Sequence, residues 1–284
     1  MALFMAGIVT VAGRAMRQSG TWCDRTEPDD ENCKCCNEVS HQNRDQIEAE
    51  EAGYCPPGMT TGRAHINFTL MDGSLAFPHS QGRTERSVEI PWALDRYRGG
   101  KRILEVGCSF AYENPEYVAG LKSLGAEELH GIDISAVPAP DFIKRIADIR
   151  ASGYPSDFFD TVFCISTIEH VGRDNSRYYE PVAEAADGPE PDRAALLEML
   201  RITRPGGSIL LTLPFGKFED HGWFINYDAA QVSRLFRELP PVEAEYFRYS
   251  DDGWLRCAPE ELADAGYREN GAPAAAGVAC FEIS

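Results

Sequence analysis

Apolar and polar positions change rhythm twice along the chain. Ala2 to Val11 are mostly apolar, and the bases Arg14 and Arg17 follow them instead of preceding them. A secretory leader has the opposite polarity, so this stretch predicts an amphipathic or partner-covered helix. Residues 20–62 are polar, acidic and turn-rich, with Asp29-Asp30-Glu31-Asn32 and Pro56-Pro57-Gly58 breaking any period. They predict an irregular appendage, taken as residues 1–80. From residue 81 onward, short apolar runs alternate with helical stripes. Thr84–Arg98 reads as a helix broken at Pro91. Arg102–Val106, Glu128–Ile132, Phe159–Ile165, Ser208–Leu213, Val242–Arg248 and Val278–Ile283 read as strands. Pro115–Leu124, Ala194–Ile202 and Ala229–Leu235 read as helices, and Phe142–Ile146 as a short helix or turn. Continuous apolar strands separated by helices imply a parallel sheet covered on both faces. The expected fold of residues 81–284 is therefore α/β, a doubly wound and mostly parallel sheet. Its ligand belongs beyond the carboxyl ends of the strands, where strand order reverses.

Composition narrows the partners. The chain has 284 residues, 43% of them hydrophobic, and a formal charge of −18 from 45 acids and 27 bases. That balance repels a phosphate backbone or an anionic membrane and leaves room for a cationic small molecule. No apolar run reaches the roughly 18 residues of a membrane span, and the expected location is the cytoplasm. Nine cysteines are present. Cys23, Cys33, Cys35, Cys36 and Cys55 lie early, near His41 and His65; zinc, a disulfide and free thiols all remain open for them. Cys108, Cys164, Cys257 and Cys280 read as buried small hydrophobes. No metal is expected in the catalytic part. The appendage offers a surface for a protein partner or for self-association.

Three strand ends carry the chemistry. Ile103-Leu104-Glu105-Val106-Gly107-Cys108-Ser109 runs an apolar strand into a glycine turn, where a backbone can approach a ligand closely. Glu105 can accept a hydrogen bond from a ligand amine. His130-Gly131-Ile132-Asp133-Ile134-Ser135 puts an acid at the end of the next strand, suited to the two hydroxyls of a ribose. Ala147-Asp148-Ile149 puts another at the following one, suited to an exocyclic amine while Ile149 packs on the ring. Each aspartate taken singly is equally well read as a helix cap. A nicotinamide enzyme would want Gly-x-Gly-x-x-Gly, and no glycine follows Gly107 closely enough.

This constellation resembles the class I S-adenosylmethionine-dependent methyltransferases over residues 85–284, which implies a Rossmann-like, doubly wound, seven-stranded and mostly parallel sheet. Glu105-Val106-Gly107-Cys108-Ser109 is similar to their first motif, with Ser109 in place of the second glycine. Phe159 through Val171, which includes Ser166, Glu169 and His170, is similar to the fourth strand and its loop. Leu197 through Gly207 is similar to the helix and turn that open the fifth. The resemblance implies that Glu105, Gly107, Ser109, Asp133, Ile134, Asp148, Ile149 and Ser166 hold S-adenosylmethionine, with S-adenosylhomocysteine as product.

Substrate choice in such a fold falls to segments outside the sheet. Gly172–Arg193 carries Tyr178, Glu180 and further acids. Pro214–Asp228 carries Asp220, His221, Trp223 and Asp228. Carboxylates with rings suit a polycationic sugar. Glu169, Tyr178, Glu180, Trp223 and Asp228 are the expected substrate contacts; His170, Asp220 and His221 are the candidate bases for an amine that must lose its proton before attack. With Glu85 to Trp92, these loops resemble sugar and aminoglycoside N-methyltransferases, of the kind used in gentamicin-type antibiotic assembly. The expected activity is methyl transfer to an amine of a cationic amino sugar. Methylation of a sugar hydroxyl and a non-catalytic scaffold are the alternatives.

Overall fold

In the computed structural model the apolar runs pair as strands. The structure describes residues 69–71, 74–76, 83–112, 114–178 and 188–284. The chain divides into Met1–Ala64 and His65–Ser284, and all described residues belong to the second unit. The expectations placed on Ala2–Val11, on Cys23, Cys33, Cys35, Cys36, Cys55, His41 and His65, and on Glu180 lie outside the described residues. Among the described residues no helix is long and apolar enough to cross a membrane.

The strands are β1 (Thr69–Met71), β2 (Ser74–Ala76), β3 (Arg102–Val106), β4 (Glu128–Asp133), β5 (Ile143–Ile146), β6 (Phe159–Ile165), β7 (Thr203–Pro214), β8 (Glu219–Asp220), β9 (Ile225–Asn226), β10 (Glu243–Ser250), β11 (Gly253–Cys257) and β12 (Gly277–Ile283). The main sheet runs β1-β2-β11-β10-β12-β7-β6-β3-β4-β5. Its parallel half is β7-β6-β3-β4-β5; β12, β10 and β11 extend it antiparallel. Leaving aside the hairpin β1–β2, the seven strands expected become eight, because β11 turns back beside β10. The hairpin β1–β2 is tied to this sheet at one pair, Leu255 with Ala76. β8 and β9 form a separate small ribbon.

The helices are α1 (Arg86–Asp95), α2 (Cys108–Tyr112), α3 (Pro115–Ser123), α4 (Pro191–Ile202) and α5 (Ala229–Leu235). Two sequence expectations are corrected. Phe142–Ile146 is no helix: Ile143–Ile146 pairs parallel to β4 from His130 to Asp133. Its Ile-Lys-Arg-Ile pattern is that of an edge strand, with Ile143 and Ile146 about half exposed. The other is Pro91, which does not break its helix. Pro91 lies inside α1 and offers no N–H to the Ser87 carbonyl. The helix is held by its inward face, where Val88, Trp92 and Ala93 are buried. Each large apolar group on that face contributes about 1.5–3 kcal/mol.

The core lies along β6 and β7. Phe159, Val162, Phe163, Leu210 and Leu211 are fully covered, as befits strands sandwiched on both faces. Cys108, Cys164 and Cys280 are buried as expected, whereas Cys257, near the sheet edge, is only half-buried. The Arg204-Pro205-Gly206-Gly207 turn is a bulge within β7. There the ladder jumps from Phe159–Thr203 to Thr161–Ser208. β3 is flanked by β4 on one side and β6 on the other, so strand order reverses at β3. A crevice opens beyond the carboxyl ends of these strands.

Candidate functional site

The crevice is a cavity of about 800 Å³. Gly107 follows β3 with φ +86°, and its N–H donates to the Ile132 carbonyl at 2.9 Å. A Cβ there would lie 2.6 Å from Thr167 Oγ1, so glycine is required both by conformation and by space. The turn feeds α2, and the Ser109 N–H donates to Asp133 Oδ2 at 3.0 Å. The Ser135 N–H donates to Asp133 Oδ1 at 2.9 Å. Two backbone donors thus aim the Asp133 carboxylate at the end of β4, and each oxygen keeps a further lone pair for a ligand. Asp133 and its neighbour Ile134 line the cavity.

Other expected contacts turn out differently. Asp148 lines the cavity with Ile149, but its carboxylate also caps the 3₁₀ turn Ile149–Ala151, accepting from the Arg150 N–H at 2.8 Å. It accepts from the Arg150 guanidinium as well, at 2.6–3.1 Å. Ser109 is buried behind the loop; its Oγ pairs with Ser135 Oγ at 2.7 Å and accepts from Lys144 Nζ at 2.9 Å. Glu105 is also behind the cavity. It is buried in β3 and accepts from the Tyr117 hydroxyl at 2.6 Å. Burial pushes its carboxyl well above the usual range, against the pull of Tyr117 and Arg86. Of the three acids at strand ends, Asp133 and Asp148 therefore share one cavity and Glu105 does not line it.

The opposite wall starts where β6 ends. Ser166 lines the cavity at φ +38°, and its Oγ donates to Glu89 Oε1 at 2.6 Å. The 3₁₀ turn Ile168–His170 then presents Glu169 and His170. Glu169 is 4% exposed, and its Oε2 has no hydrogen-bond partner among the described residues. Burial lifts its pKa to about 8, opposed by Arg86 and reinforced by Glu89 and Glu85. His170 Nδ1 lies 2.9 Å from the Trp223 carbonyl, which can only accept, so Nδ1 carries the proton and Nε2 a lone pair. Burial lowers the His170 pKa to about 4. His170 is accordingly neutral at pH 7 and a weak base, while the adjacent Glu169 is the more basic group.

Rings cover the mouth on this side. Trp223 lies 5.4 Å from His170, 5.4 Å from Tyr178 and 4.3 Å from Phe224; Phe224 lies 5.0 Å from Tyr267. All five line the cavity. The Arg177 guanidinium sits 4.1 Å over Trp223, so this wall already faces a cation.

Asp220, His221 and Asp228 are not brought to the cavity. Asp220 is held by Arg173 in a forked pair at 2.7 and 2.8 Å. His221 stacks on Phe224 at 4.5 Å and is not part of the lining. Asp228 caps α5 by accepting from the Gln231 N–H at 2.8 Å. Sequence reasoning passed over Glu85, Arg86 and Glu89, which approach from α1. The signal was present: Glu89 interrupts the otherwise apolar face formed by Val88, Trp92 and Ala93. Tyr267 comes from a turn far along the chain, and no local pattern marks it.

No family model matches the chain, and no curated protein matches it. Solved structures do. An S-adenosylmethionine-dependent methyltransferase from Archaeoglobus fulgidus aligns with a TM-score of 0.47 and 12% identity, covering 71% of this chain and 95% of that one. The [4+2]-cyclase SpnF aligns at 0.45 and 16%, covering 78% and 86%. A Burkholderia thailandensis 1,6-didemethyltoxoflavin N1-methyltransferase, solved with 1,6-didemethyltoxoflavin and S-adenosylhomocysteine, aligns at 0.44 and 11%, covering 69% and 79%.

Proposed function

We propose that the chain is an S-adenosylmethionine-dependent methyltransferase acting on an amine of a small cationic amino sugar. The observation that carries the reading is Asp133: a carboxylate fixed by two backbone N–H groups at the end of β4, next to the Gly107 turn and facing an open cavity at the reversal of strand order. Asp133 would take the ribose hydroxyls. Ile134 and Ile149 would flank the adenine, with Asp148 at its amine edge, and the Gly107 turn and Ser166 would border the amino-acid end. Ser109 supports this site through its backbone N–H, which holds Asp133.

When bound, S-adenosylmethionine supplies an electrophilic methyl: the acceptor lone pair forms the new N–C bond as the C–S bond breaks and its electron pair returns to sulfur. The chain's own part is positioning, drying and proton handling. The aromatic wall covers the mouth and suits a cationic acceptor. Burial keeps His170 neutral and lifts the neighbouring Glu169 carboxyl towards the neutral range.

The test is calorimetric titration with S-adenosylhomocysteine, followed by transfer of labelled methyl to amino sugars, neutral sugars and phenols. Binding and transfer to amino sugars are expected. A wild-type protein that ignores S-adenosylhomocysteine would refute the donor assignment, and turnover of phenols alone would refute the acceptor class.

A further inference from the structure

The wall opposite Asp133 holds more carboxyl groups than its own arginine can answer. Arg86 lies on the cavity lining between three carboxylates. Its guanidinium donates to Glu89 Oε2 at 2.5 Å, and Glu89, fully buried behind it, also accepts from Ser166. Glu85 stands 4.0 Å from the same guanidinium, the outer limit of an ion pair. Glu169 stands nearby without an ion pair to Arg86, though the charge of Arg86 still acts on it. Glu89 thus takes up Arg86, and two acids remain over. Both Glu85 Oε2 and Glu169 Oε2 are buried and lack a hydrogen-bond partner among the described residues. An unpaired buried carboxylate oxygen is costly, and the two acids, both part of the cavity wall, act on each other unfavourably. Among the described residues no three His, Cys, Asp or Glu side chains gather as metal ligands. The chemistry that satisfies two separated carboxylate oxygens beside a ring wall is an organic ammonium with several N–H donors.

We infer that Glu85 and Glu169 form a socket for one ammonium group of the acceptor, and that the proton on Glu169 governs entry to it. The inference rests on the amino-sugar reading above and adds where the cation sits and what it displaces. The groups that face Glu169 are Arg86, Glu85 and Glu89 from α1, Cys164 from β6, the adjacent His170, and Tyr178 and Tyr227 from the loops after β6 and β9. With its pKa at about 8, Glu169 is a neutral acid at pH 7 in the empty site. An entering ammonium favours the carboxylate. The acid proton then leaves to solvent, and carboxylate and ammonium remain paired. Affinity therefore rises with pH as Glu169 ionises, for as long as the amine itself stays protonated.

The experiment is calorimetry on the full chain saturated with S-adenosylhomocysteine. The probes are 2-deoxystreptamine and spermidine, with myo-inositol as the neutral twin of the first. Titrations in phosphate and in Tris, between about pH 6.5 and about pH 8.5, report the protons exchanged on binding. We expect both amines to bind with proton release, tightening with pH, and inositol not to bind. Glu169→Gln should abolish the release and weaken binding about tenfold or more. Glu85→Gln should weaken binding and keep the release; it also serves if Glu169→Gln does not fold. No amine binding to the wild type, or the same release from Glu169→Gln as from the wild type, overturns the socket. Proton-releasing amine binding by a protein that ignores S-adenosylhomocysteine would leave the socket standing and remove the transferase reading alone.

Discussion

Carboxylates stand at both ends of the same cavity, and they are treated in opposite ways. At the β4 and β5 ends, Asp133 is clasped by the Ser109 and Ser135 N–H groups and Asp148 by Arg150. Their charges are met before any ligand arrives, and what they offer is orientation. At the α1 end, Glu85 and Glu169 keep buried oxygens without partners. Those oxygens wait to be met. A satisfied acid defines geometry cheaply; an unsatisfied one stores electrostatic work that only a cation or a proton can relieve.

The largest expected effect breaks the α1 end outright. Arg86→Ala leaves the buried Glu89 carboxylate without its guanidinium and should cost about 3–5 kcal/mol in urea unfolding at neutral pH. A loss below about 1 kcal/mol would mean that the cluster is solvated.

The next effect is a pH slope. The Glu169 pKa is raised in the folded state to about 8, from an ordinary 4.5. The folded protein therefore binds this proton more tightly than the unfolded chain. The stabilisation is fully present below about pH 4.5 and is lost as pH climbs to about 8, a change on the order of 4 kcal/mol. Glu169→Gln should remove that part of the slope and gain on the wild type as pH rises. Parallel stability curves for the two proteins would contradict the burial argument.

Smaller effects sharpen the β4 end. Asp133→Ala should lose about 1.5–3 kcal/mol of S-adenosylhomocysteine affinity, roughly tenfold to a hundredfold, because a charged hydrogen-bond acceptor disappears. Glu105→Gln, behind the cavity, should hold that affinity within about threefold, since its carboxyl already serves Tyr117. A large loss with Glu105→Gln and none with Asp133→Ala would reverse the assignment. The smallest effect is outside the cavity. Asp220→Asn disturbs one exposed pair with Arg173, and should shift stability by less than about 1 kcal/mol and leave the rate nearly unchanged.

The sequence announced the strands that are covered on both faces. β3, β4, β6 and β12 are apolar runs whose ends fall within a residue or two of the pattern. β5 escaped because an edge strand buries too little to be apolar throughout. β11 and the β8–β9 ribbon are too short and mixed to stand out. Asp133 was legible because a strand end fixes where its side chain can point. Asp220, His221 and Asp228 were not, since a loop's sequence says where it leaves the sheet but not which way each side chain turns. The early sulfurs and Glu180 lie outside the described residues. Glu85 and Glu89 escaped for another reason: they sit on a helix upstream of the first motif, and only the folded chain carries them to the far wall.

One absent methyl group joins the two ends. Thr167, on the turn that leads to Glu169, lies where any side chain at position 107 would have to go. The gap between Asp133 and Glu169 is thus crossed by a contact between the strand ends, and a bulkier residue at 107 would wedge the two walls apart. In the proposed site, the reach of an acceptor, from its bound cation to the atom that receives the methyl, is a length ruled by glycine.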